Sequence, residues 1–304
     1  MKAVQYREYG DADVLEVVED APDPHAEAGQ VRIAVKAAGV NQADWKMRSG
    51  MMGGGTLDQP RIPGFEASGV IDEVGDGVSD VVVGDEVFGS AASGGAAQLA
   101  VLGAFAKKPE GMSWEEAAGL PVAVETAIRA IDLLGVADGS TFLINGASGG
   151  VGQAAIQFAR ARGALVIGTA SEGNAELLES LGAEATTYGD GLPERVASLA
   201  PEGVDFALDA AGHGALPDLI EITGSPDNVV TIADFENAGA LGVRATGGGA
   251  DSRFDEALPL AAELYEKGRF SLPVERTFPL EQIAEAQRVS EQGHARGKLV
   301  LLVD

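Results

Sequence analysis

The residues of this chain whose types and spacing most clearly serve chemistry are the glycines between Gly146 and Gly152, inside TFLINGASGGVGQAAIQFARARG at residues 141–163. Phe142, Leu143 and Ile144 form a short apolar run of strand formers, 146–152 reads as a turn, and 154–161 carries apolar residues at helical spacing. Strand, glycine turn and helix in that order make an anion site, because the first N–H groups of a helix lack intrahelical partners and its dipole is positive there. Glycine suits such a turn because the dihedrals are unusual and a side chain would hold the backbone away from the ligand. A second strand at 165–169 completes a βαβ unit, so the pattern predicts that Ala147, Ser148, Gly149, Gly150, Val151 and Gly152 cradle a pyrophosphate.

Other chemistries are narrowed by what the chain lacks. With no cysteine there are no disulfides, thiolate nucleophiles or cysteine-based zinc sites, and the three histidines, His25, His213 and His294, are far apart in sequence. A formal net charge of −26 repels nucleic acid and anionic lipid, so neither is an expected partner. The acidic residues are spread along the chain, as expected for solubility rather than for an acidic binding face. No apolar run approaches the roughly 20 residues of a membrane span, and MKAVQYREYG has no basic-then-apolar leader pattern. The expectation is a cytoplasmic enzyme.

The elements that must position the glycine turn fall into two groups. Short strand patterns at 3–6, 15–18, 30–37 and 67–74, separated by Pro, Gly and Asp clusters, predict a small barrel-like domain. Residues 41–50 read as one or two helical turns, and the glycine-rich stretch 51–59 as a loop of the kind that covers sites. In GDGVSDVVVGDEVFG, the glycines at 75, 77, 84 and 89 predict tight turns. From Trp114 the period changes. Ser113 before Glu115 and Glu116 is a helix start, 122–134 is a second helix pattern, and after the central unit helical and extended patterns alternate up to residue 232. That alternation predicts a parallel, doubly wound sheet. Late helices at 254–266 and 280–292 precede a strand at 298–303 that returns to the first domain.

This order, together with AAGVNQADWKMRSG, PGFEASGVIDEVG, INGASGGVG and HARGKLVLL, resembles the zinc-independent quinone oxidoreductase branch of the medium-chain dehydrogenase/reductase superfamily. The resemblance implies an α/β protein with a GroES-like, β-barrel-type catalytic domain (1–115 and 267–304) and a Rossmann NADP-binding domain (116–266). Zinc-dependent members place ligands where this chain has Asn41, Phe65 and Val122, so no metal is expected. Hydride transfer then needs an acceptor that is already electrophilic, a quinone or a C=C conjugated to a carbonyl, with NADPH as donor. An enoyl-thioester reductase and a non-catalytic NADPH-binding redox sensor are the alternatives.

The same resemblance distributes roles. Asn41 is expected either to donate its amide to the acceptor oxygen or to cap the helix that follows, and Trp45 either lines the acceptor pocket or fills a small core. Asp44 is expected to be structural, capping the same turn or orienting Arg48. Many relatives carry a tyrosine near Asn41 or in a GGYAE-like turn, where this chain has Trp45 and Gly94-Gly95-Ala96-Ala97, so the proton is expected to come from water. At the end of the second Rossmann strand, Ala170 stands where an NAD-specific member has an acid; Ser171, Asn174 and Tyr188 are expected to bind the 2′-phosphate. Arg296 or Lys298 would supply positive charge there, unless the pair is an ordinary turn. Thr126 is expected at the nicotinamide, with Ile232 to Phe235 passing backbone groups to its carboxamide. Glu125 departs from the usual small or apolar residue. Pairing of sheet edges through 241–246 would make a homodimer. From the three replaced ligands we predict that the purified protein contains no stoichiometric zinc and keeps its turnover in chelator, which metal analysis and chelator titration check.

Overall fold

A computed structural model describes residues 1–53, 55–293 and 296–303. Gly54 of the 51–59 loop and His294 with Ala295 of HARGKLVLL lie outside the described residues. The chain forms two compact units, Met1–Val122 with Phe254–Asp304, and Ala123–Arg253.

The first unit is built on strand β3, which follows β1 (Ala3–Gln5) and β2 (Glu16–Val18) and runs Val31–Val40. Val31, Ile33 and Val35 alternate inward, as a half-buried strand requires, and join Ile71, Val87 and Leu102 in one core. From Ala37 onward β3 is buried on both faces, and Ala37 packs with Ala118 and Val300. Helix α1 (Gln42–Arg48) follows, then β4 (Glu66–Val74), β5 (Glu86–Ala91), β6 (Leu99–Lys107) and helix α2 (Trp114–Gly119). Because β3 pairs with both β4 and β6, strands β3 to β6 close on themselves as a barrel does.

Two registers in this sheet decide what meets what. Antiparallel pairing of β3 with β4 sets Ala38 opposite Ala67, which brings Glu66 abreast of Gly39. The C-terminal strand pairs antiparallel with the other edge of β3, Leu299 opposite Val40, which brings Lys298 abreast of Asn41. A strand of the first unit is therefore contributed from the far end of the chain, as the sequence pattern predicts.

The second unit begins in helix α3 (Pro121–Leu134), whose first two residues belong to the first unit. Strand β7 (Thr141–Asn145), helix α4 (Gly150–Ala161) and β8 (Leu165–Ala170) realise the expected βαβ unit. Then come α5 (Ala175–Ser180), β9 (Glu184–Thr187), α6 (Leu192–Leu199), β10 (Phe206–Asp209), α7 (Leu216–Thr223), β11 (Val229–Thr231), α8 (Phe235–Leu241) and β12 (Arg244–Ala245). The sheet is parallel throughout, in the order β12-β11-β10-β7-β8-β9. This is the doubly wound Rossmann order, and its direction reverses between β7 and β10, where such sheets bind ligands.

Helix α9 (Phe254–Glu266), β13 (Val274–Pro279), α10 (Ile283–Glu291) and β14 (Lys298–Leu302) return to the first unit. Helix α9 packs on β6, so the second unit ends at Arg253 and not at 266, and it begins at Ala123 rather than at 116. Two strands leave no clear pattern in the sequence. In β6, LAVLGAFAK is interrupted by alanine and glycine, residues of low strand preference, and VERTFP in β13 is largely exposed with its core contact at Phe278. Of the four glycines expected in tight turns, Gly77 and Gly84 have positive φ, whereas Gly89 lies inside β5, where an added Cβ would sit 2.1 Å from the Ala104 carbonyl oxygen. No helix among the described residues is long and apolar enough to cross a membrane.

Candidate functional site

In the first unit a carboxylate is shut away from water at the N-terminal end of β4. Glu66 is 0% exposed, and its Oε1 accepts from Lys298 Nζ (2.9 Å) and Asn41 Nδ2 (2.8 Å) while Oε2 accepts from the Val122 N–H (2.7 Å). Gly39 makes the room: an added Cβ there would stand 2.0 Å from Glu66 Oε1. Lys298 Nζ also donates to Asn41 Oδ1. A lysine ammonium only donates and a carboxylate only accepts, so the Asn41 amide can face them in one way, oxygen to Lys298 and nitrogen to Glu66. Its second N–H has no acceptor among the described residues, and Asn41 is half-buried. The amide is thus a donor held in a fixed direction.

Asn41 stands at the N-cap of α1, and the expected structural role of Asp44 is realised there. Asp44 Oδ2 accepts from the Asn41 N–H (2.6 Å) and Oδ1 from the Gly64 N–H (3.0 Å), tying the helix start to the segment before β4. Burial outweighs these bonds and pushes the carboxyl up to about 7, with the nearby Glu66 charge acting in the same direction and Lys298 against it. Arg48 is not oriented by Asp44. Its guanidinium is buried and donates to Gln287 Oε1 (2.6 Å), to the Gly10 carbonyl and to Glu291. Trp45 is half-buried with the Lys46 ammonium 5.7 Å from its ring centroid, and its Nε1 is enclosed without a hydrogen-bond partner among the described residues. Beside Asp44 opens a cavity of about 400 Å³ whose wall includes Tyr6, Met47, Arg61, Ile62 and Phe65 but not Trp45.

In the second unit the glycine turn is supported by a second buried carboxylate. Asp209, 0% exposed at the end of β10, accepts from Asn145 Nδ2 (2.9 Å), Thr231 Oγ1 (2.8 Å) and the Gly212 N–H (2.8 Å). Thr169 Oγ1 donates to Asn145 Oδ1 (2.8 Å) and accepts from the Gly146 N–H (3.3 Å), so the ends of β8, β7, β10 and β11 are cross-linked beneath the turn. Gly146 has φ +81°, and a Cβ on Gly152 would lie 2.5 Å from the Gly146 carbonyl oxygen, so the first turn of α4 packs directly on the loop. A Cβ on Gly149, the N-cap, would meet nothing closer than 3.6 Å. Ser148, Gly149, Gly150 and Val151 are half-buried and reachable, whereas Ala147 is buried against the sheet. Tight packing beneath and open space above a twelve-residue helix start fit a dinucleotide pyrophosphate.

At the end of β8, Ala170 is buried and the Asn174 side chain donates to Ser171 Oγ (3.1 Å), which leaves the serine hydroxyl a free donor proton. Tyr188 is 61% exposed, and the segment that carries it is gathered by Arg195, whose guanidinium donates to the carbonyls of Thr187 (2.9 Å), Asp190 (2.7 Å) and Gly189 (3.2 Å). The structure removes Lys298 from the phosphate-binding role: it is buried, with its ammonium committed to Glu66 and Asn41. Arg296 is exposed and its backbone N–H donates to Glu275.

Thr126 is buried beside Glu125, which explains that departure. Glu125 is the counterion of Arg129, one helical turn on, with Nε to Oε1 at 2.8 Å, and it also accepts from the Arg253 N–H (3.0 Å). Thr126 Oγ1 lies 3.4 Å from both Glu125 Oε2 and an Arg129 nitrogen, and Arg129 also donates to Thr246. Sequence reasoning had no signal for the pair beyond its i, i+4 spacing. Ile232 donates its N–H to the Asp209 carbonyl, Thr231 Oγ1 accepts from the N–H groups of Ala233 and Asp234, and Phe235 opens α8 with 52% exposure. Among the described residues no three His, Cys, Asp or Glu side chains gather in a way that could hold a metal ion.

Comparison with known proteins places this architecture. The alcohol dehydrogenase GroES-like domain family matches residues 27–121, and the zinc-binding dehydrogenase family matches 181–301. The 2-methylene-furan-3-one reductase of Solanum lycopersicum is 30% identical over 99% of this chain and 79% of its own length. Quinone oxidoreductase of Homo sapiens is 30% identical over 100% of this chain and 98% of its own. The chain belongs to the quinone oxidoreductase branch of the medium-chain dehydrogenase/reductase superfamily. It is an oxidoreductase, and in structure it is also similar to the CurK enoyl reductase, with a TM-score of 0.85 at 27% identity over 100% of this chain and 99% of that one.

The raised Asp44 carboxyl makes a stability prediction with a definite sign. Between the unfolded value near 3.8 and the folded value of about 7 the native state holds a proton that the unfolded chain has released, so stability falls as pH rises through this window and levels off above it. The drop amounts to a few kcal/mol at ~1.4 kcal/mol per pH unit. Urea unfolding at pH 5 and pH 8 should show Asp44→Asn losing part of the pH 5 to 8 decline seen in the wild type.

Proposed function

We propose that this enzyme transfers hydride from NADPH to a quinone or an α,β-unsaturated carbonyl, working in the cytoplasm as a homodimer and without zinc. The observation that carries the reading is the Asn41 amide, fixed by Glu66 and Lys298 with one N–H left over. An acceptor oxygen gains negative charge as hydride arrives, and a preoriented N–H stabilises that charge without reorganising. Phe65 and Val122, at two of the ligand positions of zinc-dependent members, have no side-chain atom that could coordinate a metal, which supports chemistry that relies on an electrophilic acceptor. NADPH, when bound, supplies the hydride; this chain binds and orients.

The glycine turn from Ala147 to Gly152 would hold the pyrophosphate. Ala170 offers no carboxylate to the adenosine ribose and no repulsion to a 2′-phosphate, and Ser171, Asn174 and Tyr188 supply donors, each bond to such a charged group contributing about 1.5–3 kcal/mol. Of the two cations expected at the phosphate Lys298 is engaged elsewhere and Arg296 remains, so NADPH is preferred over NADH without excluding it. The short β12 lies at an edge of the parallel sheet, which supports pairing of two copies there. The likeness to CurK enoyl reductase favours an enoyl thioester as the second reading of the acceptor.

We expect steady NADPH oxidation with quinones or enones in a panel that includes enoyl thioesters; turnover of the thioesters alone would replace the first reading by the second. Changing Ala170→Asp should reverse the NADPH:NADH preference, by roughly tenfold or more for each hydrogen bond to the 2′-phosphate that the new carboxylate disrupts. Titration calorimetry with both nucleotides reads it, and an unchanged ratio would contradict the assignment of this pocket.

A further inference from the structure

Neither place where relatives carry a tyrosine has one here, yet the fold brings another tyrosine to the wall of the cavity beside Asp44. We propose that Tyr6 is the proton donor of this site, giving its phenolic proton to the enolate oxygen formed when an enone is reduced. The inference rests on the function proposed above and adds to it a named acid in place of water.

Tyr6 is anchored by a two-way backbone bridge to Arg61, each N–H donating to the other carbonyl at 2.9 Å, so the residue cannot drift from the wall it lines. It is 2% exposed. The cavity, about 400 Å³, is of the size that small ligands fill, and its wall combines Met47, Ile62 and Phe65 with the polar Tyr6, Asp44 and Arg61. Its wall is tied through the backbone to the residue that carries the donor already described. Asp44 on its wall accepts the backbone N–H of Asn41, and Phe65 on its wall precedes Glu66. Burial raises the Tyr6 phenol above its ordinary range, with the Arg61 guanidinium working against it, so the group keeps its proton at neutral pH.

Hydride from the reduced nicotinamide forms a C–H bond at the β-carbon, and the C=C electrons move to the carbonyl oxygen. The Tyr6 O–H bond breaks and its proton joins that oxygen; the enol rearranges to the ketone, and the tyrosinate recovers a proton from water. A quinone yields a hydroquinone anion, a weaker base that is protonated in solution, so it depends less on the acid.

General acids contribute about 10²–10⁴-fold. With Tyr6→Phe we therefore expect kcat for an enone to fall at least 30-fold, kcat for a quinone to change less than threefold, and KM for NADPH to stay constant. Arg61→Gln, which removes the charge opposing the raised phenol, should slow the enone several-fold more than it slows the quinone. A readout without cofactor uses 4-nitrophenolate, an enolate mimic whose absorbance reports its ionisation: Tyr6→Phe should weaken its binding about tenfold or more. Equal enone kcat and equal nitrophenolate affinity in wild type and Tyr6→Phe would overturn the assignment. A wild type that turns over none of the quinones or enones with NADPH would overturn the proposed function instead, and the nitrophenolate titration would still decide Tyr6.

Discussion

Glu66 is a carboxylate without solvent, and the first unit is arranged around compensating it. A buried charge is tolerated only when it is paired and its remaining lone pairs are occupied. Here the ammonium comes from Lys298 at the start of the last strand, one N–H from Asn41 at the end of β3, and another from Val122 at the start of α3. Those partners are 232, 25 and 56 residues away in sequence, so three distant stretches of the first unit converge on one acid. Gly39 is part of the same arrangement, because any side chain there would occupy the carboxylate's space. What the charge returns for its burial is direction: a flexible asparagine becomes a donor that points one way.

The second unit repeats the device with different chemistry. Asp209 is equally buried, and its partners are neutral, Asn145, Thr231 and backbone N–H groups, with Thr169 joined through Asn145. These side chains sit at the carboxyl ends of four neighbouring strands, beneath the glycine turn, so the loop that would meet a phosphate rests on a saturated polar floor. A network of this kind is stiff when every member is satisfied. Glu125 and Arg129 add a third buried charge, paired within one helix, and Thr126 is drawn into it.

Much of this was legible in the residues themselves. The βαβ unit read directly from strand formers, glycines and helical spacing, and the return of the last strand followed from Lys298 to Val303 being an apolar run after a helix. The strand β6 was hidden because alanine and glycine carry little strand preference, and β13 because its residues are mostly exposed. The site was legible in pieces. GVN, GFE and GK each looked like a motif, but that they converge on one carboxylate depends on register, Leu299 opposite Val40 and Ala38 opposite Ala67, which spacing along the chain does not encode. The sequence pattern accordingly points Lys298 to the nucleotide, whereas its partner is Glu66, and Tyr6 gives no signal because a lone tyrosine in a first strand has no periodicity.

The most direct test is a double-mutant cycle on the buried pair, Glu66→Gln, Lys298→Met and the two together, read by urea unfolding. Removing one partner should cost about 3–5 kcal/mol, because the other is left charged in an apolar site. The double variant should recover a large part of that loss, giving a coupling of more than about 1 kcal/mol between residues in contact. Additive effects with no coupling would contradict the claim that this ion pair holds the first unit and aims Asn41.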